Sequence, residues 1–173
     1  MNPTPLPTQA EICAMLDYNP DTGVFIWKVS RSSVKAGSVA GTIDGDGYRM
    51  IGFVRRRLGS HRIAWVISTG AWPIDQVDHI NGIRDDNRIV NLREATDHQN
   101  QQNRRRAQRN SKSGFLGVCF HKDVGKWQAQ IKIDGKNKYL GLYATPELAH
   151  SAYLVAKAVF HPFQTIANTN EKV

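Results

Sequence analysis

The chain has little cysteine: two in 173 residues, Cys13 and Cys119, far apart and with no second Cys or His at metal-ligand spacing. This speaks against a structural zinc module and against a disulfide framework, and it predicts incidental or buried thiols in a reducing compartment. Long apolar runs are also lacking, since no stretch approaches the roughly 18 residues a membrane helix needs. The opening Met1-Asn2-Pro3-Thr4-Pro5 has neither the basic start nor the apolar core of a secretory signal. The expected location is the cytoplasm, with no membrane partner. Acidic residues are scarce as well, 15 against 23 Lys and Arg, for a net charge of +8. At 40% hydrophobic and 22% charged, the composition is that of a globular chain rather than a disordered one. Its length suits one ordinary domain or two to three small modules.

The positive excess is local. Residues 104–140 hold ten basic and two acidic side chains, and the rest of the chain balances to zero. Such a block is the footprint of a polyanion partner, although charge alone describes a solvated surface equally well. The motifs must decide.

Thr8-Gln9-Ala10-Glu11 has the capping-box form and predicts a short helix from Gln9 to about Leu16. Asn19–Gly23 reads as a turn and Val24–Trp27 as a strand. Two short strands, around Ser38–Ile43 and Tyr48–Val54, flank the turn Asp44-Gly45-Asp46-Gly47, with Arg55, Arg56 and Arg57 at the end of the second. A helix is expected from near Ser60, turning Ile63, Ala64, Val66 and Ile67 inward and ending at Gly70. Between Val77 and Arg106 the pattern is strand, Asn/Asp-rich loop, short strand and helix. That helix is capped at Thr96 and continues through Asn103 into Arg104, Arg105 and Arg106. Residues 107–113, including Arg109, are polar and basic with no apolar period and read as a linker.

The last module has the clearest pattern. In Trp127–Ile133 apolar and polar residues alternate strictly, so Trp127, Ala129, Ile131 and Ile133 share one sheet face and Gln128, Gln130 and Lys132 the other. Asp134-Gly135 turns the chain into a further strand, and Thr145-Pro146 starts a helix. Ala149, Ala152, Tyr153, Ala156 and Phe160 form an apolar stripe on that helix, suited to lie across the sheet.

Chemistry concentrates at Val77-Asp78-His79-Ile80-Asn81-Gly82, followed by Asp86-Asn87-Arg88, Asn91-Leu92-Arg93 and Asn100. Hydrolysis of a phosphodiester requires a nucleophilic water, a base, and a cation to meet the charge that grows on phosphate. His79 suits the base because imidazole titrates near neutrality. Asp78 offers a hard carboxylate oxygen and Asn100 a neutral amide oxygen, the donors of a mostly hydrated Mg²⁺ site. Neighbouring residues on a strand point to opposite faces, so the strand is expected to end or bend at this pair. Taken alone, an Asp-His pair before Asn-Gly is more often a plain turn.

The whole constellation, with His61-Arg62-Ile63-Ala64-Trp65 upstream, resembles the HNH nuclease family in its phage and intron-encoded homing branch. The resemblance covers most of residues 10–106. It implies a ββα-metal fold, Asp78 and Asn100 as metal ligands, His79 as general base, and Asn91 bracing the loop and orienting the imidazole. Asn100 stands where many members have His; an amide binds a divalent ion more weakly than imidazole binds Zn²⁺, so Mg²⁺ or Mn²⁺ is expected. If the gene is phage-borne, the location is the host cytoplasm.

Residues 114–163 resemble the Apetala-type (ethylene-response-factor) DNA-binding domain through Gly114–Val118, Lys126–Ile131, Tyr139-Leu140-Gly141 and the Ala-rich helix. The resemblance implies that the polar sheet face reads the major groove of double-stranded DNA. Here that face is Cys119, His121, Gln128, Gln130, Lys132, Asn137 and Tyr139. Gln and Asn can read adenine, and Lys132 guanine or phosphate. Leu116 and Cys119 replace the arginines of plant members, which shifts the expected weight toward phosphate contacts and DNA shape.

The expected fold class is α+β. It comprises an N-terminal mixed region at 1–59 with a DNA-contacting hairpin, an HNH core at 60–106, a basic linker at 107–113, a three-stranded antiparallel sheet on one helix at 114–163, and a tail at 164–173. The expected activity is site-directed DNA cleavage by a monomer, one strand per binding event. The competing class is a non-cleaving, sequence-specific DNA-binding regulator on a relic nuclease fold.

Overall fold

A computed structural model describes residues 5–31, 34–53, 56–108 and 111–163; Arg55, Arg109 and the tail at 164–173 lie outside the described residues. The fold is α+β, built from helices and small antiparallel sheets. It divides into two compact units, Met1–Asp97 and His98–Val173.

The first unit opens with α1 (Gln9–Met15), whose capping box closes as Thr8 Oγ1 accepts from Glu11 N and Glu11 Oε2 accepts from Thr8 N. Strands β1 (Leu16–Tyr18) and β2 (Phe25–Trp27) pair antiparallel around the turn at 19–23. A three-stranded sheet follows in the order β3 (Thr42–Ile43), β4 (Arg49–Phe53), β5 (Arg56–Gly59). Helix α2 (Ser60–Thr69) begins directly after it and buries Ile63, Ala64 and Val66; Gly70, left-handed at φ 85°, ends it. Strands β6 (Gln76–His79) and β7 (Leu92–Ala95) pair antiparallel, and α3 (Asp97–Gln102) comes next. One apolar cluster runs from Ile12 through Phe25, Ile51 and Ile63 to Val77 and Leu92. Residues on both sides of position 59 therefore share a single core.

Two local expectations change. Arg56 and Arg57 belong to a strand of their own, β5, rather than to the end of β4. The run Arg56-Arg57-Leu58-Gly59 carries one apolar residue, too few to show alternation. Its backbone nevertheless pairs Leu58 with Ile51 and brings Leu58 against the core. Helix α3 ends at Gln102 instead of running on, and Arg104, Arg105 and Arg106 are exposed beyond it. No residue of α3 is buried, so no apolar stripe sustains further turns. Asn103 N closes the helix on Gln99 O and Asn100 O.

In the second unit β9 (Lys126–Ile133) lies between β8 (Val118–His121) and β10 (Lys136–Tyr143). The β9–β10 hairpin turns on Asp134 and Gly135, both at positive φ (47° and 78°), the geometry that Asp-Gly favours. Helix α4 (Pro146–Phe160) starts on the Thr145 cap and sets Ala149, Tyr153 and Ala156 against Ala129 and Ile131. Gly117 passes under this helix. A Cβ there would stand 2.0 Å from the Tyr153 ring, and φ is +70°. The expected three-stranded sheet on one helix is present.

Candidate active site

Strand β6 ends in two buried polar residues, Asp78 and His79. Pairing with β7 stays in register through Asp78↔Arg93 and His79↔Leu92. The two side chains therefore leave on opposite faces, and the strand ends at His79 as expected, with a turn in which Gly82 N donates to His79 O at 2.9 Å and Gly82 takes φ +71°. On one face, Asp78 Oδ2 accepts from Arg93 Nε and Nη2 at 3.0 and 2.9 Å. On the other, His79 meets Asn87, Tyr48 and His61.

Asn87 decides the state of the imidazole. Its Nδ2 donates to Asp85 O at 3.1 Å, which a carbonyl can only accept, so its Oδ1 is the atom 3.3 Å from His79 Nε2. An amide oxygen accepts only, hence Nε2 carries the proton and the neutral ring has its lone pair on Nδ1. Burial pushes the His79 pKa below the usual histidine value, against the opposing pull of Asn87, Asp78 and Asp86.

The loop from β6 to β7 is braced by side chains. Asn91 Oδ1 accepts from Asn81 N at 2.9 Å and Asn91 Nδ2 donates to Asp86 O at 2.7 Å. Asn81 Nδ2 donates to Asp86 Oδ2 at 2.6 Å, and Arg88 pairs with the same carboxylate, holding Asp86 below the ordinary carboxylate range. The hydrogen bond described for the imidazole goes to Asn87, eight residues after His79, a residue within the sequence motif to which the pattern assigns no role. The N-terminal region supports this loop directly. Tyr18 OH donates to Asn87 O at 2.8 Å, and a Cβ at Gly23 (φ +73°) would stand 2.6 Å from Arg88 N.

Asn100 lies on α3, half-buried, in the second unit, whereas Asp78, His79 and Asn91 are in the first. Among the described residues no group of three or more His, Cys, Asp or Glu could hold a metal. A carboxylate such as Asp78 offers the hard oxygen donor that a mostly hydrated divalent cation takes. Of the basic residues, Arg57 is exposed and Arg56 half-buried on β5. On the second unit's sheet, Cys119 lies opposite Gln128, Asn137 opposite Lys132 and Tyr139 opposite Gln130, so these six share one face. His121 lies opposite Lys126 on the same side. Lys132, Asn137 and Tyr139 are exposed, while His121, Gln128 and Gln130 are half-buried.

Residues 59–102 match the family model described as HNH endonuclease. That segment takes in α2, β6, β7 and α3 and contains Asp78, His79, Asn91 and Asn100. Over that segment the chain is similar to HNH endonucleases. A solved structure described as "DNA binding and cleavage by the HNH homing endonuclease I-HmuI" is similar at 23% identity over 78% of this chain and 75% of that one, with a TM-score of 0.41. None of the curated proteins matches the chain.

His61 makes the first unit sensitive to acid. Burial above all, with His79 and Arg62 adding and Asp44 opposing, pushes its pKa down to about 4. In the unfolded chain it titrates near ~6.5. Between those values the unfolded chain takes up a proton that the folded one refuses, so stability falls as pH drops, by at most about 3 kcal/mol. His79 shifts in the same direction. The expected result is a thermal midpoint that falls from pH 6.5 to pH 4, with a flatter slope in His61→Phe; equal slopes would contradict it.

Proposed function

We propose that the chain is a site-directed DNA endonuclease, of the homing type that its sequence resembles, cutting one strand per binding event as a monomer. The observation that carries this is a buried His79 whose Nε2 faces Asn87 Oδ1, inside the segment that matches the HNH family. In this reading His79 Nδ1 takes the proton of the attacking water, and Asn87 holds the ring in the tautomer that leaves that nitrogen free of its own proton. Asn91 keeps the loop in the form that presents Asn87. When bound, Mg²⁺ or Mn²⁺ would be held by Asp78 and Asn100 and would supply positive charge against the developing phosphate charge. Arg93 engages one oxygen of Asp78 and steadies the carboxylate.

The work divides along the chain. Residues 1–59 brace the loop and offer Arg55, Arg56 and Arg57 to DNA. Residues 60–106 carry the chemistry, ending in Arg104, Arg105 and Arg106. The linker at 107–113 adds Arg109. Residues 114–163 act as an Apetala-type reader through His121, Gln128, Gln130, Lys132, Asn137 and Tyr139, a reading supported by the polar sheet face opposite the helix. Replacing Gln128, Gln130 and Lys132 together by Ala should weaken binding to the preferred site roughly tenfold or more. It should also lower the salt slope of log affinity by ~0.9 for the lost cation, with the cleavage rate of bound DNA unchanged. Unchanged affinity and slope would remove this face from recognition.

The test of function is an end-labelled duplex library followed on native and denaturing gels with Mg²⁺ present. Cleavage of one strand at a defined position is expected. Retardation on the native gel with no cut product would favour the non-cleaving regulator.

A further inference from the structure

His61 lies outside the residues to which the nuclease motif gives a role, yet its ring stands against the proposed base. The His61 and His79 rings meet edge to face, with centroids 5.2 Å apart at 63°. Tyr48 closes the group, 5.4 Å from His61 and 5.9 Å from His79. Arg84 in turn covers Tyr48 at 4.9 Å and ties back to Asp46 O at 2.5 Å. His61 itself has a fixed mount. The preceding Ser60 is fully buried and its hydroxyl donates to Arg49 O at 2.9 Å, pinning the start of α2 to β4.

Gly59 supplies the space. Its φ of −65° is open to any residue, but a Cβ there would stand 2.5 Å from His61 Cε1 and 3.0 Å from Nδ1. The need at this position is for room. His61 Nδ1 is buried with no hydrogen-bond partner among the described residues, so packing locates this edge of the ring.

We propose that His61 is a positioning residue for His79: seated in the space left by Gly59, its ring acts with that of Tyr48 to hold the His79 imidazole in the plane at which Asn87 receives Nε2–H. The Nε2 contact with Asn87 holds one edge of the imidazole, and the His61 and Tyr48 rings packed against it restrict its tilt about that edge. The inference rests on the reading of His79 as the base.

Four variants, His61→Ala, His61→Phe, Gly59→Ala and the double variant Gly59→Ala/His61→Ala, test it through single-turnover cleavage and imidazole ¹H–¹⁵N spectra. His61→Ala should lower kcat about 10- to 100-fold with KM within about twofold, the effect of a misaligned base rather than of lost binding. The His79 nitrogens, distinct in the wild type as a single tautomer, should average in this variant. His61→Phe keeps a ring in place and should retain kcat within about threefold, with the single tautomer preserved. Gly59→Ala should act like His61→Ala, and the double variant should be no worse than His61→Ala, because the clash is gone. Wild-type kcat and tautomer in His61→Ala would overturn the proposal. So would a His61→Phe variant as slow as His61→Ala, since the nitrogen and not the ring would then matter. A wild-type protein that binds DNA without cutting it would overturn the nuclease reading instead, and the ring signals would still decide the packing.

Discussion

His79→Ala is expected to lower single-turnover cleavage by roughly 10²–10⁴-fold while DNA affinity changes by no more than about threefold. The split follows from what the side chain does. It is buried, its Nε2 faces Asn87 Oδ1, and in the proposed mechanism its other nitrogen acts on water in the transition state rather than on bound DNA. Removing it takes away transition-state stabilisation and leaves ground-state binding in place. The ring also packs against His61 and Tyr48, so the kinetic comparison belongs alongside an affinity measurement on the same preparation. Unchanged cleavage in this variant would remove His79 from the mechanism.

The second large effect concerns the metal. Asp78→Ala should raise the Mg²⁺ concentration for half-maximal activity on the order of tenfold or more, and Asn100→Ala by less, because only Asp78 brings negative charge. Asp78→Ala also removes the carboxylate that the Arg93 guanidinium engages. Asp78→Asn keeps the shape and serves as the matched comparison. His98, exposed on the same helix as Asn100, is the control: His98→Ala should titrate with metal as the wild type does. If Asn100→Ala also titrated like the wild type, the helix ligand would be misassigned.

Patterns with a strong period were legible in the sequence. The capping box at Thr8, the α2 stripe ending at Gly70, and the alternation from Trp127 to Ile133 each encode their element locally, and each appears where expected. Weak periods misled. Arg56–Gly59 holds one apolar residue and pairs through its backbone, and polar α3 has no buried stripe to mark its end. Asp78, His79 and Asn91 stand out in the sequence as a motif, and all three lie within the segment that matches the family model. Their tertiary partners do not stand out. Asn87 reaches His79 only through the fold of the loop, and Tyr48 reaches it from the turn between β3 and β4. Gly23 and Gly59 look like ordinary turn glycines in sequence; the atoms they make room for belong to Arg88 and to the His61 ring.

Nicking of supercoiled plasmid carrying the preferred site, with Mg²⁺ or with EDTA, tests the central claim most directly. Open-circular product with Mg²⁺, none with EDTA, and none from His79→Ala at equal DNA occupancy is the predicted result. Tight, site-selective binding that leaves the plasmid supercoiled under every metal condition would contradict the account.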